Sequence, residues 1–261
     1  MKSKILYTVL TAYVQFQSGI VLSSEQEGAE LADFKSFIES SNHYSPLEGA
    51  GSHGSLGLGI GVGTGFHQSP EHRQLIAEQF QERDQFDKRG NNSFNDTYLV
   101  PRLFIHKGLS IPIDFGASFA KMPATSASSV ASYMQWTVFE SFALPAISMR
   151  GKYSRLMGLP STEFQSLGLE GTISYGFFRF FNVYATQGVN KNDLMVRTSG
   201  ESATALVLDS DQDYSSKYMS KNTAFGLQLL MLPLYSTATL EYRKIDTGRT
   251  HSVIGKLSLG I

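Results

Sequence analysis

From Gly54 onward, apolar residues fall on every second position. The stretch 54–66 sets Leu56, Leu58, Ile60, Val62 and Phe66 on one parity and Gly57, Gly59, Gly61, Gly63 and Gly65 on the other. Period two is the mark of a strand with one apolar face and one bare face. A glycine-rich face signals close backbone approach or a tight bend. The stretch also approximates a G-x-G-x-x-G loop. A nucleotide loop needs a helix directly after it, and His67-Gln68-Ser69-Pro70 does not start one.

Nine further runs keep the alternation: Tyr98–His106, Ser110–Phe119, Ser129–Phe139, Ala146–Met157, Gln165–Tyr175, Phe180–Gln187, Asn222–Met231, Tyr235–Lys244 and His251–Ile261. Most have the roughly 9–11 residues that a tilted strand needs to cross a hydrocarbon layer. The connections alternate in length. Lys107-Gly108, Glu140–Pro145, Gly176–Arg179 and Leu232–Leu234 are short, while 67–97, 120–128, 158–164, 188–221 and 245–250 are mostly longer. Tight turns at one end and long loops at the other predict an all-β chain: a transmembrane, antiparallel, up-and-down β-barrel of about ten strands, within a range of 8–12. An even strand count with the short turns inside puts both termini in the periplasm. A hairpin over 194–208, from Leu194-Met195-Val196 and Ala205-Leu206-Val207-Leu208, would raise the count to twelve.

Composition fits this reading. Charged residues are 17% of the 261, against roughly 25% in a soluble domain, with 24 Gly and 12% aromatics. No apolar run after the N-terminus is long enough for a membrane helix. The net charge of −1 and the lack of a basic stripe argue against nucleic acid as a partner. The absence of cysteine excludes disulfides and thiolate metal sites. Lys2, Lys4 and the mostly apolar Ile5–Val14 read as a secretory signal, with cleavage after Ser23. The domain expectation is therefore a signal peptide over 1–23, a periplasmic lead-in over 24–53 and the barrel over 54–261. Within the lead-in, Glu27–Ser40 predicts a short amphipathic helix with Leu31, Phe34 and Ile38 on one side.

The stretch Gly54–Ile261, with its apolar-ended last strand H-S-V-I-G-K-L-S-L-G-I, resembles bacterial outer-membrane barrels as a class. Leu144–Gly158 (L-P-A-I-S-M-R-G-K-Y-S-R-L-M-G) is similar to segments of uncharacterised outer-membrane proteins. There is a loose likeness to the longer fatty acid transporters of that membrane. The resemblance implies location in the bacterial outer membrane and passage through its assembly machinery. That machinery usually reads a terminal aromatic residue, and Ile261 departs from this.

With the apolar parity toward lipid, the other parity predicts a lumen lined by Arg102, Asp114, Arg150, Lys152, Glu170, Glu241, Arg243 and Lys256. These are five cations and three acids. On the lipid side each Arg or Lys at mid-depth would cost about 2–4 kcal/mol. Inside, they either fill a narrow barrel with ion pairs or form a charged constriction. Ten strands lie near the closed end of the size range, which favours filling. The glycines of the first strand mark where spare lumen space would lie. Arg155 breaks parity and is expected to snorkel toward headgroups or lipopolysaccharide phosphate. Trp136, Tyr153, Tyr175, Phe177, Phe181, Tyr235 and Tyr242 suit interfacial girdles.

Catalytic and metal signals are weak. His251 with Asp246 could make a dyad, but both lie on one short polar loop. Asp209, Asp211 and Asp213 lack the rest of a calcium loop. No enzyme activity, cofactor or metal is expected. The partners expected are membrane lipid and lipopolysaccharide. The functional expectation is a narrow channel or transporter for small or apolar solutes. The alternative is a closed structural or interaction barrel acting through its long outer loops. A soluble lipocalin-like barrel, which would need an apolar interior, stands third.

Overall fold

Each alternating run becomes a strand paired with its sequence neighbours. The computed structural model describes residues 29–54, 57–68, 97–122, 127–141, 144–159, 162–177, 180–197, 214–231, 236–247 and 250–260. The strands are β1 (Leu58–Gln68), β2 (Thr97–Gly108), β3 (Ile113–Lys121), β4 (Ser128–Phe139), β5 (Ala146–Met157), β6 (Thr162–Phe177), β7 (Phe181–Val196), β8 (Tyr214–Met231), β9 (Ser236–Ile245) and β10 (Thr250–Gly260). All pairings are antiparallel. β10 returns to β1 in the register Val62↔Leu257 and Phe66↔Val253, which closes the barrel. Closure removes the sheet edge that a bilayer could not hydrogen-bond.

The barrel is inside-out relative to a water-soluble protein. On β4, Val130, Met134, Trp136 and Val138 are exposed, while Ser129, Ala131, Tyr133, Gln135 and Thr137 are buried. The same holds around the wall: Leu103, Phe119, Leu169, Phe225, Leu240 and Leu257 face out. A continuous apolar belt on a closed barrel requires lipid as its solvent. The polar interior excludes the lipocalin-like alternative. Exposed Tyr175, Phe177 and Phe181 cluster at the short-turn end, with Tyr175 edge-on to Phe177 at 4.7 Å between ring centres. That placement suits an interfacial girdle. Trp136, Tyr153 and Tyr242 also face out, whereas Tyr235 lies outside the described residues.

Lys107-Gly108, read from the sequence as a turn, belongs to β2, and β3 starts at Ile113 rather than Ser110. The largest boundary shifts from the sequence expectation are at β1 and between β7 and β8. β1 starts at Leu58 rather than Gly54, because Gly54 adopts a φ of 67° and Gly57 N–H closes a turn onto its carbonyl at 3.1 Å. Half of the long connection expected over 188–221 is strand, since β7 runs to Val196 and β8 begins at Tyr214. Leu194–Val196 thus completes β7. The rest of the expected extra hairpin, with Asp209, Asp211 and Asp213, lies outside the described residues.

The segment ahead of β1 does not hang below the barrel. It runs through it. Helix α1 (Ala29–Asn42) sits at the long-loop end, where Phe37 and Ile38 pack with Val100, Met122, Leu156, Phe164 and Leu194. The chain then descends through residues 43–53, and residues 35–50 are buried. β1 begins and β10 ends at the short-turn end as expected, but the stretch read as a periplasmic lead-in is, over residues 35–50, buried inside the barrel as a lumenal plug. The helix is buried on its polar side as well. Ser36 Oγ donates to Thr250 Oγ1 at 3.3 Å and Asn42 Nδ2 to Ser154 Oγ at 3.0 Å. A polar lumen can satisfy a polar helix face, so amphipathicity against a single apolar partner is not needed here.

Candidate functional site

The inner wall and the plug meet through three layers of charge. Near the long-loop end, Glu39 of α1 accepts from Asn192 Nδ2 at 3.0 Å and from Ser220 Oγ. Burial pushes the Glu39 carboxyl up, opposed by hydrogen bonds from Ser220 and Asn192. Lys35 lies 5.1 Å from the Tyr218 ring centre and 5.5 Å from that of Tyr214. Arg102 Nη2 donates to the Ser41 carbonyl at 3.2 Å.

The middle layer centres on Glu170. Its Oε1 receives Lys152 Nζ at 2.5 Å and Arg243 Nη1 at 2.9 Å, and Arg150 Nη1 approaches Oε2 at 3.6 Å. Glu241 takes Arg243 Nε at 2.9 Å, Tyr184 Oη at 2.8 Å and Ser45 Oγ at 3.0 Å. Into this cluster the plug inserts His43, whose Nε2 accepts from Arg243 Nη1 at 2.5 Å and Lys152 Nζ at 3.0 Å. Burial, then the neighbouring Lys152 and Arg243 charges, hold His43 well below the ordinary imidazole range. It is a neutral acceptor rather than an ion-pair partner for Glu170.

The third layer lies toward the short turns. Glu48 of the plug receives Lys256 Nζ at 2.9 Å and Tyr133 Oη at 3.0 Å, and it contacts His106 Nδ1 at 2.8 Å. Burial acts to raise the Glu48 carboxyl, but Lys256, His53 and His106 together hold it well below the carboxylate range. Asp114 accepts the His53 backbone N–H at 3.2 Å and sits 3.2 Å from the ring Nδ1. Burial acts to lower His53, and Glu48 and Asp114 outweigh it to raise the imidazole. Gln135 Nε2 and Thr137 Oγ1 donate to the carbonyls of Gly51 and Ala50, at 3.2 and 2.9 Å.

All eight residues read from the sequence as lumen candidates, Arg102, Asp114, Arg150, Lys152, Glu170, Glu241, Arg243 and Lys256, are buried on the inner face. Arg150, Lys152, Glu170, Glu241 and Arg243 form one cluster. Asp114 and Lys256 join the layer near the short turns, and Arg102 lies against α1. The sequence reading missed the plug side of each contact, namely Glu39, His43, Glu48 and His53, and the wall partners Tyr133, Tyr184, Asn192 and His106. One signal was present. Five cations against three acids leave this set two positive charges in excess. The plug brings two acids to this wall, Glu39 and Glu48, together with one buried cation, Lys35. The glycine face of β1 is not spare lumen, since a Cβ on Gly59 would overlap Nε2 of the His106 ring. Arg155 is exposed on the lipid side as its parity implied. His251 pairs through Nδ1 with Tyr242 Oη at 2.6 Å on the outer face.

No protein-family model matches the chain, and no curated protein does. Among solved structures it is similar to the KdgM porin, at 7% identity over 78% of this chain and 99% of that one, with a TM-score of 0.37. Neisserial surface protein A is similar at 8% identity, over 78% and 97%, with a TM-score of 0.30. Ail, the attachment invasion locus protein of Yersinia pestis, is similar at 11% identity, over 78% and 95%, with a TM-score of 0.30. These likenesses are loose. The assignment to outer-membrane-type β-barrels rests on the closed ten-strand wall and its lipid belt.

Proposed function

We propose that this chain is a bacterial outer-membrane barrel held closed by its own N-terminal segment, and that it acts through its outer face rather than as an open diffusion channel. The observation that carries this reading is the plug. Residues 35–50 are buried within the wall and bonded to it in all three charged layers.

A second feature supports an outer-face role. Beyond Asn222↔Ile245, the strands β7 and β8 continue together as far as Val196↔Tyr214. Tyr214–Ser220 extends roughly 20 Å at about 3.4 Å per residue. Its outer face changes from apolar to polar, with Lys217 facing Asp193 at 3.7 Å and Arg197 facing Glu163 at 2.7 Å. Such a hairpin stands in water and offers a surface for a partner. Arg155, exposed on the belt toward the same end, suits lipopolysaccharide phosphate.

Solute transport is the second reading, and the chemistry of the plug keeps it open. Beside the apolar contacts of Phe37, Ile38, Tyr44 and Leu47, the plug is held by hydrogen bonds and ion pairs, which water can replace if the segment leaves. The test is conductance in planar bilayers. The full chain is expected to be silent, and a variant lacking residues 29–53 to give discrete steps. Continuous conductance by the intact chain would overturn the closed reading.

A further inference from the structure

Where the plug reaches the short-turn end, it brings a carboxylate and an imidazole against a second imidazole from the wall. Glu48 and His53 come from the plug and His106 from β2. Each offers one ligand atom, all within 4.8 Å of one another. His53 Nε2 is 3.5 Å from Glu48 Oε2, and His106 Nδ1 is 2.8 Å from Glu48 Oε1. The two rings stand 4.9 Å apart.

We propose that Glu48, His53 and His106 form a site for a divalent transition cation of the zinc class, which fastens the plug to the barrel wall. Two imidazoles and one carboxylate make a recognised three-residue zinc set that leaves a fourth position for water. The surroundings fit such a site. Asp114 Oδ2 lies 3.2 Å from His53 Nδ1, so that nitrogen carries the proton and Nε2 turns its lone pair toward Glu48. A carboxylate behind a ligating histidine fixes tautomer and ring orientation in this way. A cation between His53 Nε2 and Glu48 Oε2, 3.5 Å apart, would take the place of the proton that pairs them in the metal-free barrel. Gly59 leaves room for the His106 ring, since a Cβ there would meet Nε2. On binding, His106 carries its proton on Nε2 and frees Nδ1 for the metal. Lys256 keeps its contact with Glu48 Oε1, and Oε2, which accepts the Tyr133 hydroxyl at 3.0 Å, has a second lone pair for the ion. The His53 side chain is 27% exposed, which gives an entry path from the short-turn mouth. No metal-ligand spacing marks the site in sequence, because His106 lies far along the chain from the other two.

The site rests on the closed-plug reading, since two of its three ligands are plug residues. The test is metal content. Full-length protein folded in detergent is dialysed against zinc with a weak competing chelator. One zinc per barrel is expected, with binding weakened at least about tenfold in His53→Ala and in His106→Ala. Asp114→Asn, a positioning change, is expected to weaken binding by about 10–100-fold. Heat-modifiable gel mobility shows that each variant is folded. A folded wild-type barrel that takes up no zinc, or zinc uptake unchanged in both histidine variants, would overturn the site. A barrel that is silent in bilayers but holds no zinc loses the metal site alone. One that conducts continuously loses the plug beneath it.

Discussion

Glu48 and Lys256 meet inside the barrel at 2.9 Å, the one carried by the plug and the other by the last strand. They lie far apart in sequence, and both are buried. Lys256 also donates to the Pro46 carbonyl at 2.8 Å. The contact joins the segment that precedes the wall in the chain to the strand that closes it.

Breaking this pair from one side strands a buried charge. Glu48→Gln is expected to destabilise the folded barrel by about 3 kcal/mol, in the range for removing one partner of a buried pair. The double change Glu48→Gln with Lys256→Met removes both charges and is expected to recover most of the loss. Urea unfolding in detergent measures both. An additive double variant would mean that the two side chains do not interact.

Gly59 is expected to reject even one methyl group. A Cβ there runs into His106 Nε2, and His106 is held by Glu48. Gly59→Ala should cost about 1–3 kcal/mol, as overpacking does. Gly171 faces lipid, and among the described residues nothing stands within 4 Å of where its Cβ would be. Gly171→Ala should therefore be close to neutral. The same unfolding series separates the two.

The grip on the plug near the short turns is expected to depend on pH from both sides. Glu48 is lowered, so its contribution is present above the ordinary carboxyl value of 4.5 and fades as pH falls through its folded value. His53 is raised, so its contribution is present below the ordinary 6.5 and fades as pH rises through its folded value. The two windows overlap between 4.5 and 6.5. Thermal midpoints of the metal-free barrel, kept in a strong chelator, should therefore decline above that window in the wild type. In His53→Gln this alkaline decline should shrink. An unchanged decline would remove His53 from the account.

The wall was legible because lipid and lumen impose opposite chemistry on alternating residues. Ala146–Met157 is the same strand in sequence and structure, and Arg150 and Lys152 point inward as their parity required. The ends of β7 and β8 were less legible. Past the bilayer the outer face turns polar at Lys191 and Lys217, so the apolar alternation fades while the pairing continues. The plug was hidden for a different reason. Its helix faces a polar lumen, so Ser36, Glu39 and Asn42 are buried although they look like a solvated face. Its partners, such as Arg243 for His43, lie on strands remote in sequence. Only the excess positive charge of the wall hinted that acids had to come from elsewhere.

The most direct measurement of the central claim is thiol accessibility within the plug. The chain has no cysteine, so Ser45→Cys places a single reporter between Glu241 and Arg243. Lys217→Cys, on the exposed outer hairpin, is the reference. In the folded barrel a bulky, water-soluble maleimide is expected to label the plug site at least about a hundredfold more slowly than the hairpin site, because labelling requires the plug to open. After denaturation the two rates should converge. Equal rates in the folded barrel would mean that the segment does not occupy the lumen, and the account of a self-closed barrel would fail.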